Sequence, residues 1–189
     1  MCNSRKRNMS DVASQDSWRL RQAATSDANG VHGLACEPLV YQYLFDGVAP
    51  DRKWIAEWIE QSIADVAEVG VGLWVLESHA VGYAGCVQLR PDLSSRSAEL
   101  TYFLDPANRG QGLATRMGWT AVTQAFLSPK LDFVFAGADL PNIASFDVMR
   151  RLGMRFRQHV RYPLGAGVEY VRHRNDTGPM PRPKLLLVC

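Results

Sequence analysis

The chain has 189 residues, 47% of them hydrophobic and 21% charged, which suits one globular domain of ordinary size with a hydrophobic core. Its 21 basic and 19 acidic residues leave a formal charge of +2, too small and too scattered for a nucleic-acid partner held through phosphate neutralisation. No stretch reaches the roughly 18 apolar residues of a membrane span, so no membrane partner is expected and the chain is placed in the cytoplasm.

The start, MCNSRKRNMSD, has basic residues with no apolar run behind them and does not read as a secretory leader. Met9, followed by Ser10 and Asp11, reads equally well as a translation start. That start would make residues 1–8 an upstream extension; residues 1–16 are set aside as a disordered N-terminal extension, ahead of a single domain over residues 17–174 and a tail over residues 175–189. Cys2, Cys36, Cys86 and Cys189 form no C-x-x-C pair and no metal spacing, which argues against a disulfide framework. Cys86, inside an apolar run, is expected to pack as a small hydrophobe.

Trp18 to Arg21 predicts a short strand, and Thr25-Ser26-Asp27 a turn and cap ahead of a helical stretch near residues 31–36. Asp51 can cap a stronger helix in which Trp54, Ile55, Trp58, Ile59, Ile63 and Val66 repeat at i, i+3, i+4. That spacing assigns both tryptophans to the core. An alternative lets this helix and the preceding loop, with Asp46 and Asp51, form one wall of an acceptor pocket. Gly70 ends the helix.

Three strands follow over residues 72–76, 80–88 and 98–104, then a helix over 112–126, a strand over 133–138, a short helix over 143–152, and strands over 154–162 and 168–173. The order is β-α-α-β-β-β-α-β-α-β-β. A run of antiparallel strands leading into two β-α steps is a mixed α/β layer architecture, unlike a doubly wound nucleotide fold. The arginines after Met149, among them Arg155, Arg157, Arg161, Arg172 and Arg174, read as a solvated strand face. The final TGPMPRPKLLLVC reads as a tail whose apolar end, Leu185 to Val188, can pack back on the fold.

The most informative window is the turn Asp105-Pro-Ala-Asn-Arg109-Gly-Gln-Gly112-Leu-Ala114 between a strand and an amphipathic helix. Gly110 and Gly112 let backbone approach a ligand, and the free N–H groups of the helix start coincide with its positive dipole end. A phosphate belongs there. The G-x-G-x-x-G pattern of a dinucleotide site and the G-K-[ST] of a P-loop are both missing, while a plain glycine turn remains the bland alternative.

The run R-x-x-G-x-A, from Arg109 through Gly112 to Ala114, resembles the pyrophosphate-binding signature of GNAT acetyltransferases. A second segment, Asn142-Ile-Ala-Ser145-Phe-Asp-Val-Met149-Arg-Arg151-Leu-Gly153-Met154, resembles the N-x-x-[AS]-x-x-x-[YLM]-x-[KR]-x-G-[FM] stretch of the same superfamily. The overall pattern is most similar to the ribosomal-protein N-terminal acetyltransferase (RimJ/RimL-type) branch. The resemblance implies a central, mixed, mostly antiparallel twisted sheet flanked by helices, with splayed strands forming an acyl-CoA cleft. It implies acetyl-CoA as co-substrate, its pyrophosphate on the turn of Arg109, Gly110, Gln111, Gly112, Leu113 and Ala114, and its pantetheine arm along Phe103, Leu104 and Asn142. Asn142, following Pro141, can also serve as a helix N-cap. The partner implied is a primary amine, a protein N-terminus or a small molecule, and a homodimer is admitted.

Acyl transfer to an amine needs an acceptor for the ammonium proton and a donor for the departing thiolate. Glu99 stands in an otherwise apolar strand, where a solvent-facing residue is the bland reading. The RimJ/RimL-type pattern has a glutamate at that place in its E-[IL]-G-Y strand, which implies a base; Thr101 replaces the usual glycine. The tyrosine that many family members use as acid is matched by Met149, which cannot donate a proton. The branch implies Ser145 in that role instead, against a bland role in capping or backbone bonding. Tyr102 and Tyr162 are further donors. His32, His79, His159 and His173 make no ligand spacing, so no metal and no Ser-His-Asp arrangement are expected. A catalytically idle acyl-CoA-binding or interaction module on the same fold stays open as the alternative function.

Overall fold

The computed structural model describes residues 18–178 and 186–188. The expected N-terminal extension, Cys2 and Cys189 lie outside the described residues, as does most of the expected tail. Among the described residues, strands β1 (Arg19–Gln22), β2 (Leu73–Ser78), β3 (Gly82–Asp92), β4 (Ser97–Leu104), β5 (Phe133–Asp139), β6 (Arg155–Tyr162), β7 (Gly165–His173) and β8 (Leu186–Val188) form one sheet in the order β6-β7-β5-β4-β3-β2-β1-β8. All neighbours are antiparallel except β4 with β5 and β1 with β8.

Helices α1 (Ala28–Ala35), α2 (Pro38–Leu44) and α3 (Arg52–Val69) precede β2, while α4 (Leu113–Ala125) links β4 to β5 and α5 (Ile143–Arg151) links β5 to β6. Helix α2 and strand β8 add to the order expected from the sequence. The short α2 starts with Pro38 in its first turn and buries only Val40, too little for an amphipathic repeat to register.

The central strands read as continuous apolar runs because helices cover both faces. Trp74, Leu76, Val87 and Leu89 pack with Leu113, Met117 and Val122 of α4, whereas Leu73, Val75 and Cys86 alternate onto Val31, Ile55 and Ile59 of α1 and α3. This is the period of two expected of strands. Cys86 is fully buried, and burial pushes its thiol far above the ordinary value, so it packs as a small apolar group. Asp51 caps α3 through Oδ1, which accepts from the Trp54 N–H at 2.7 Å, and Gly70 closes that helix in the left-handed conformation at φ 83.

Two expectations are corrected. Trp54 is 45% exposed, edge-on to Phe45 and tilted against the half-buried Trp58, so it forms a surface aromatic cluster and not core. The stripe of α3 that enters the core runs through Ile55, Ile59, Ser62 and Val69; Trp54 lies about a quarter-turn off it. The arginine face is not wholly solvated either. Arg172 is 1% exposed, donates from Nη1 to the Leu152 carbonyl at 2.9 Å, and stacks its guanidinium over Trp119 at 5.1 Å. Arg174 reaches back to the carbonyls of Phe126, Ser128 and Leu131, tying the α4–β5 loop to β7.

Candidate active site

The site originates where two strands part. Strands β4 and β5 keep a ladder only from Ser97–Glu99 to Phe133–Phe135. Beyond it, residues 100–104 remain paired with β3 and residues 136–139 with β7. The gap between them opens into a cavity of about 750 Å³, walled by both strands, the starts of α4 and α5, and part of α2.

At one end of the cavity the chain leaves β4 through a tight turn. Asp105 Oδ1 accepts from the Ala107 N–H at 2.8 Å, Gly110 and Gly112 take the left-handed conformation at φ 79 and 73, and Gly112 is the N-cap of α4. Left-handed backbone favours glycine, and no atom lies within 4 Å of where a Cβ on either residue would stand. The turn is thus open towards the cavity, with the unpaired first-turn amides of α4 beside it. The Thr115 hydroxyl, also on the cavity wall, is buried and has no hydrogen-bond partner among the described residues. An orphaned hydroxyl beside free amides at a helix start fits a phosphate-bearing ligand.

Of the residues singled out from the sequence, Glu99, Phe103, Leu104, Arg109, Gly110, Gly112, Leu113, Ala114, Asn142 and Ser145 border this cavity; Gln111 is exposed on the turn and does not. Arg109 also donates from Nη2 to the Leu39 carbonyl at 3.2 Å, which ties the turn to α2. Asn142 takes the N-cap position of α5, but with ψ 62 its side chain makes no capping bond, contrary to expectation. The turn is closed by backbone instead: the Asn142 N–H donates to Asp139 O at 2.9 Å and the Ser145 N–H to Asn142 O at 3.1 Å. Among the described residues neither the Asn142 amide nor the Ser145 hydroxyl has a side-chain hydrogen bond, leaving both available to a ligand.

Alternation along β4 splits the wall between two faces. Leu100 and Leu104 point to the α4 side with Tyr102, whose hydroxyl donates to the Ser145 carbonyl at 3.0 Å. Burial pushes the Tyr102 phenol far above its ordinary value. Phe103 packs with the α1–α3 cluster, so Glu99 and Thr101 share its side of the sheet. Glu99 stands opposite Arg90 in the β3–β4 register and accepts a hydrogen bond from Arg90 Nη2 at Oε2. Met149, at the place of the family's tyrosine, is fully buried.

Several wall residues were not anticipated from the sequence: Thr115; Leu39, Tyr43 and Leu44 of α2; and Asp139 at the end of β5. Asp46, raised as an alternative, borders the cavity, while Asp51 is engaged in capping. Tyr162 also lines the wall, its hydroxyl seated where a Cβ on Gly137 would be. Burial, with the nearby charges of Glu169, Glu99 and Asp139, pushes its phenol up to about 12. Among the described residues no group of three or more His, Cys, Asp and Glu side chains is placed to hold a metal, and no helix is long and apolar enough to cross a membrane.

The fold is shared with solved acetyltransferase structures. A RimL ribosomal L7/L12 α-N-protein acetyltransferase in complex with coenzyme A superposes with a TM-score of 0.71 at 17% identity, over 83% of this chain and 94% of that one. A spermidine N-acetyltransferase from Vibrio cholerae in complex with CoA and spermine gives 0.70 at 18% identity, over 84% and 96%. An aminoglycoside acetyltransferase in complex with coenzyme A gives 0.66 at 16%, over 84% and 95%. The sequence over residues 18–155 matches the acetyltransferase (GNAT) domain family, and the chain belongs to that family.

Proposed function

We propose that the protein is an acetyl-CoA-dependent N-acetyltransferase of the RimJ/RimL-like branch that moves the acetyl group to a primary amine by direct transfer in a ternary complex. The observation that carries this reading is the single cavity that joins the open glycine turn of α4 to Glu99 on one wall and Ser145 on another. The backbone amides of Gly110, Gln111, Gly112, Leu113 and Ala114 and the Thr115 hydroxyl would hold the pyrophosphate. The edge of β4 at Phe103 and Leu104 that faces away from β3 and has lost β5, with the Asn142 amide, would take the pantetheine arm as an added strand. When bound, acetyl-CoA supplies an activated thioester carbonyl.

The chain's own part is then proton management and orientation. Glu99, oriented by Arg90, accepts the proton of the incoming ammonium, directly or through water. Ser145, its hydroxyl free of intrahelical bonding, delivers a proton to the departing sulfur. Tyr102 holds the Ser145 carbonyl and so fixes the start of α5 against β4.

The reading is tested by measuring CoA release from acetyl-CoA with a panel of peptides having free N-termini, small amines and aminoglycosides. Acceptor-dependent thiol release is expected. Binding of acetyl-CoA with no release above background for every acceptor would assign the protein to the idle acyl-CoA-binding class.

A further inference from the structure

Asp139 has no part in the chemistry above. It ends β5 at 7% exposure on the cavity wall, and its buried Oδ1 has no hydrogen-bond partner among the described residues. A buried carboxylate oxygen with no donor is costly as an anion. Burial, and after it the charge of Asp46, push the Asp139 carboxyl above its ordinary value. Asp46 comes from the turn after α2, at φ 51, and borders the same cavity.

The surrounding charges sharpen the point. Glu99 is matched by Arg90 and Glu169 by Arg157, but among the described residues no cation pairs with Asp46 or Asp139. Alternation along β5 sends Ala136 and Ala138 to the α4 side, so Asp139 and Phe135, which is opposite Glu99, share the other face. Asp139 thus belongs to the side of the sheet that carries Glu99, and Asp46, whose charge acts on it, borders the same cavity.

We propose that Asp139 and Asp46 form an ammonium-binding subsite that selects acceptors carrying a second cationic group, so that one amine is acetylated while another is held as a cation. This rests on the acetyltransferase reading for its place in catalysis, though cation binding itself does not. The incoming ammonium supplies the charge that the buried oxygen lacks, and a charge-assisted hydrogen bond favours the carboxylate form. The reacting amine must lose its proton to Glu99, whereas the anchored one keeps its own, so two differently treated nitrogens suit two separate carboxylate sites.

The test uses a series of α,ω-diamines from 1,3-diaminopropane to 1,8-diaminooctane beside n-alkylamines of matched length, with the full chain saturated with CoA for calorimetry and with acetyl-CoA for turnover. At least one diamine is expected to bind about tenfold or more tightly than its matched monoamine, the scale of one hydrogen bond to a charged group. Asp139→Asn and, separately, Asp46→Asn should shrink that ratio towards one, with acetyl-CoA affinity retained. The second variant keeps the test decisive should the first fail to fold, since asparagine tolerates the left-handed backbone at position 46. Equal binding of diamines and monoamines, or a ratio unchanged in folded variants, would overturn the subsite. Absence of turnover with intact diamine selectivity would overturn the proposed reaction and leave the subsite standing.

Discussion

The hydroxyl of Tyr102 on β4 donates to the main-chain carbonyl of Ser145 in the first turn of α5, 3.0 Å away. The bond spans the cleft between the parted strands and sets the position of the helix that carries Ser145. With its phenol held above the ordinary value by burial, Tyr102 remains a donor across the neutral range. Tyr102→Phe is expected to cost about 1 kcal/mol, or roughly 2–4 °C in Tm, and to lower turnover only a few-fold. A loss beyond about a hundredfold at unchanged acetyl-CoA affinity would instead make Tyr102 the proton donor.

At the glycine turn, charge and strain can be separated. Gly112 sits at φ 73, so any side chain strains the backbone, yet asparagine and aspartate tolerate this region similarly and differ in charge. Gly112→Asp should bind acetyl-CoA at least tenfold more weakly than Gly112→Asn, because a carboxylate would face the pyrophosphate at the dipole end of α4. Calorimetry on variants that remain folded by circular dichroism measures the difference. Equal affinities would remove the turn from the binding site.

If the Ser145 hydroxyl acts only as the thiolate departs, as proposed, Ser145→Ala should lower kcat with little change in acetyl-CoA affinity. Met149→Leu should be nearly silent, being a volume-conserving change in a fully buried position. Wild-type turnover in Ser145→Ala, measured where chemistry limits the rate, would move the acid role to another donor on the wall.

Stability should depend on pH through Asp27. Burial alone would raise its carboxyl, but hydrogen bonds from Arg21, the Ala24 N–H and the Tyr83 hydroxyl outweigh it and hold the group at about 2, against an ordinary 3.8. A depressed folded value stabilises the protein above the unfolded value, and the contribution is lost as pH falls from about 4 towards 2. Denaturant midpoints across pH 2–6 should therefore drop more steeply in the wild type than in Asp27→Asn. The variant itself should be less stable at pH 6, by about 3 kcal/mol, as one partner of a largely buried ion pair is removed. Parallel pH profiles would dissociate Asp27 from acid unfolding.

Gly153 shows what could and could not be read from the chain. As part of the second motif it is visible in the sequence, but the reason for it is three-dimensional: at φ 68 it follows α5, and a Cβ there would stand 2.1 Å from Nη1 of Arg172. The arginine is buried because Trp119 and the Leu152 carbonyl receive it, partners that strand alternation does not encode. Helical periodicity likewise places the α3 stripe but not its edge, where Trp54 stands at the surface. Glu99, Ser145 and the glycine turn could be named because local motifs carry them. Thr115 and Asp139 join the wall only through the parting of β4 from β5, a non-local event with no short signature.

The assignment of Glu99 as base separates an enzyme from an idle module most sharply, and the arginine opposite it adds a second handle. Glu99→Gln keeps the shape and removes the proton acceptor, so kcat/KM should fall by about 10²-fold or more near neutral pH. With a primary amine of high pKa, activity should rise with pH in both forms, and the gap should narrow in alkaline buffer as free amine becomes plentiful without help. If Glu99 merely anchored the ammonium by charge, the loss would appear chiefly in KM and would persist at high pH. Arg90 contacts one carboxylate oxygen across the β3–β4 ladder, and on a half-exposed strand surface its worth lies in orientation more than in stability. Arg90→Ala should therefore lower kcat/KM less than Glu99→Gln does, leaving Tm within about 1–2 °C of the wild type. Combining the two substitutions should add little to the effect of Glu99→Gln, because the arginine acts through the carboxylate. A full pH profile of the wild type and the three variants, taken with an acceptor that is turned over, reads all of these outcomes together. An unaltered profile for Glu99→Gln would end the base assignment, and additive losses would give Arg90 a role of its own at the acceptor.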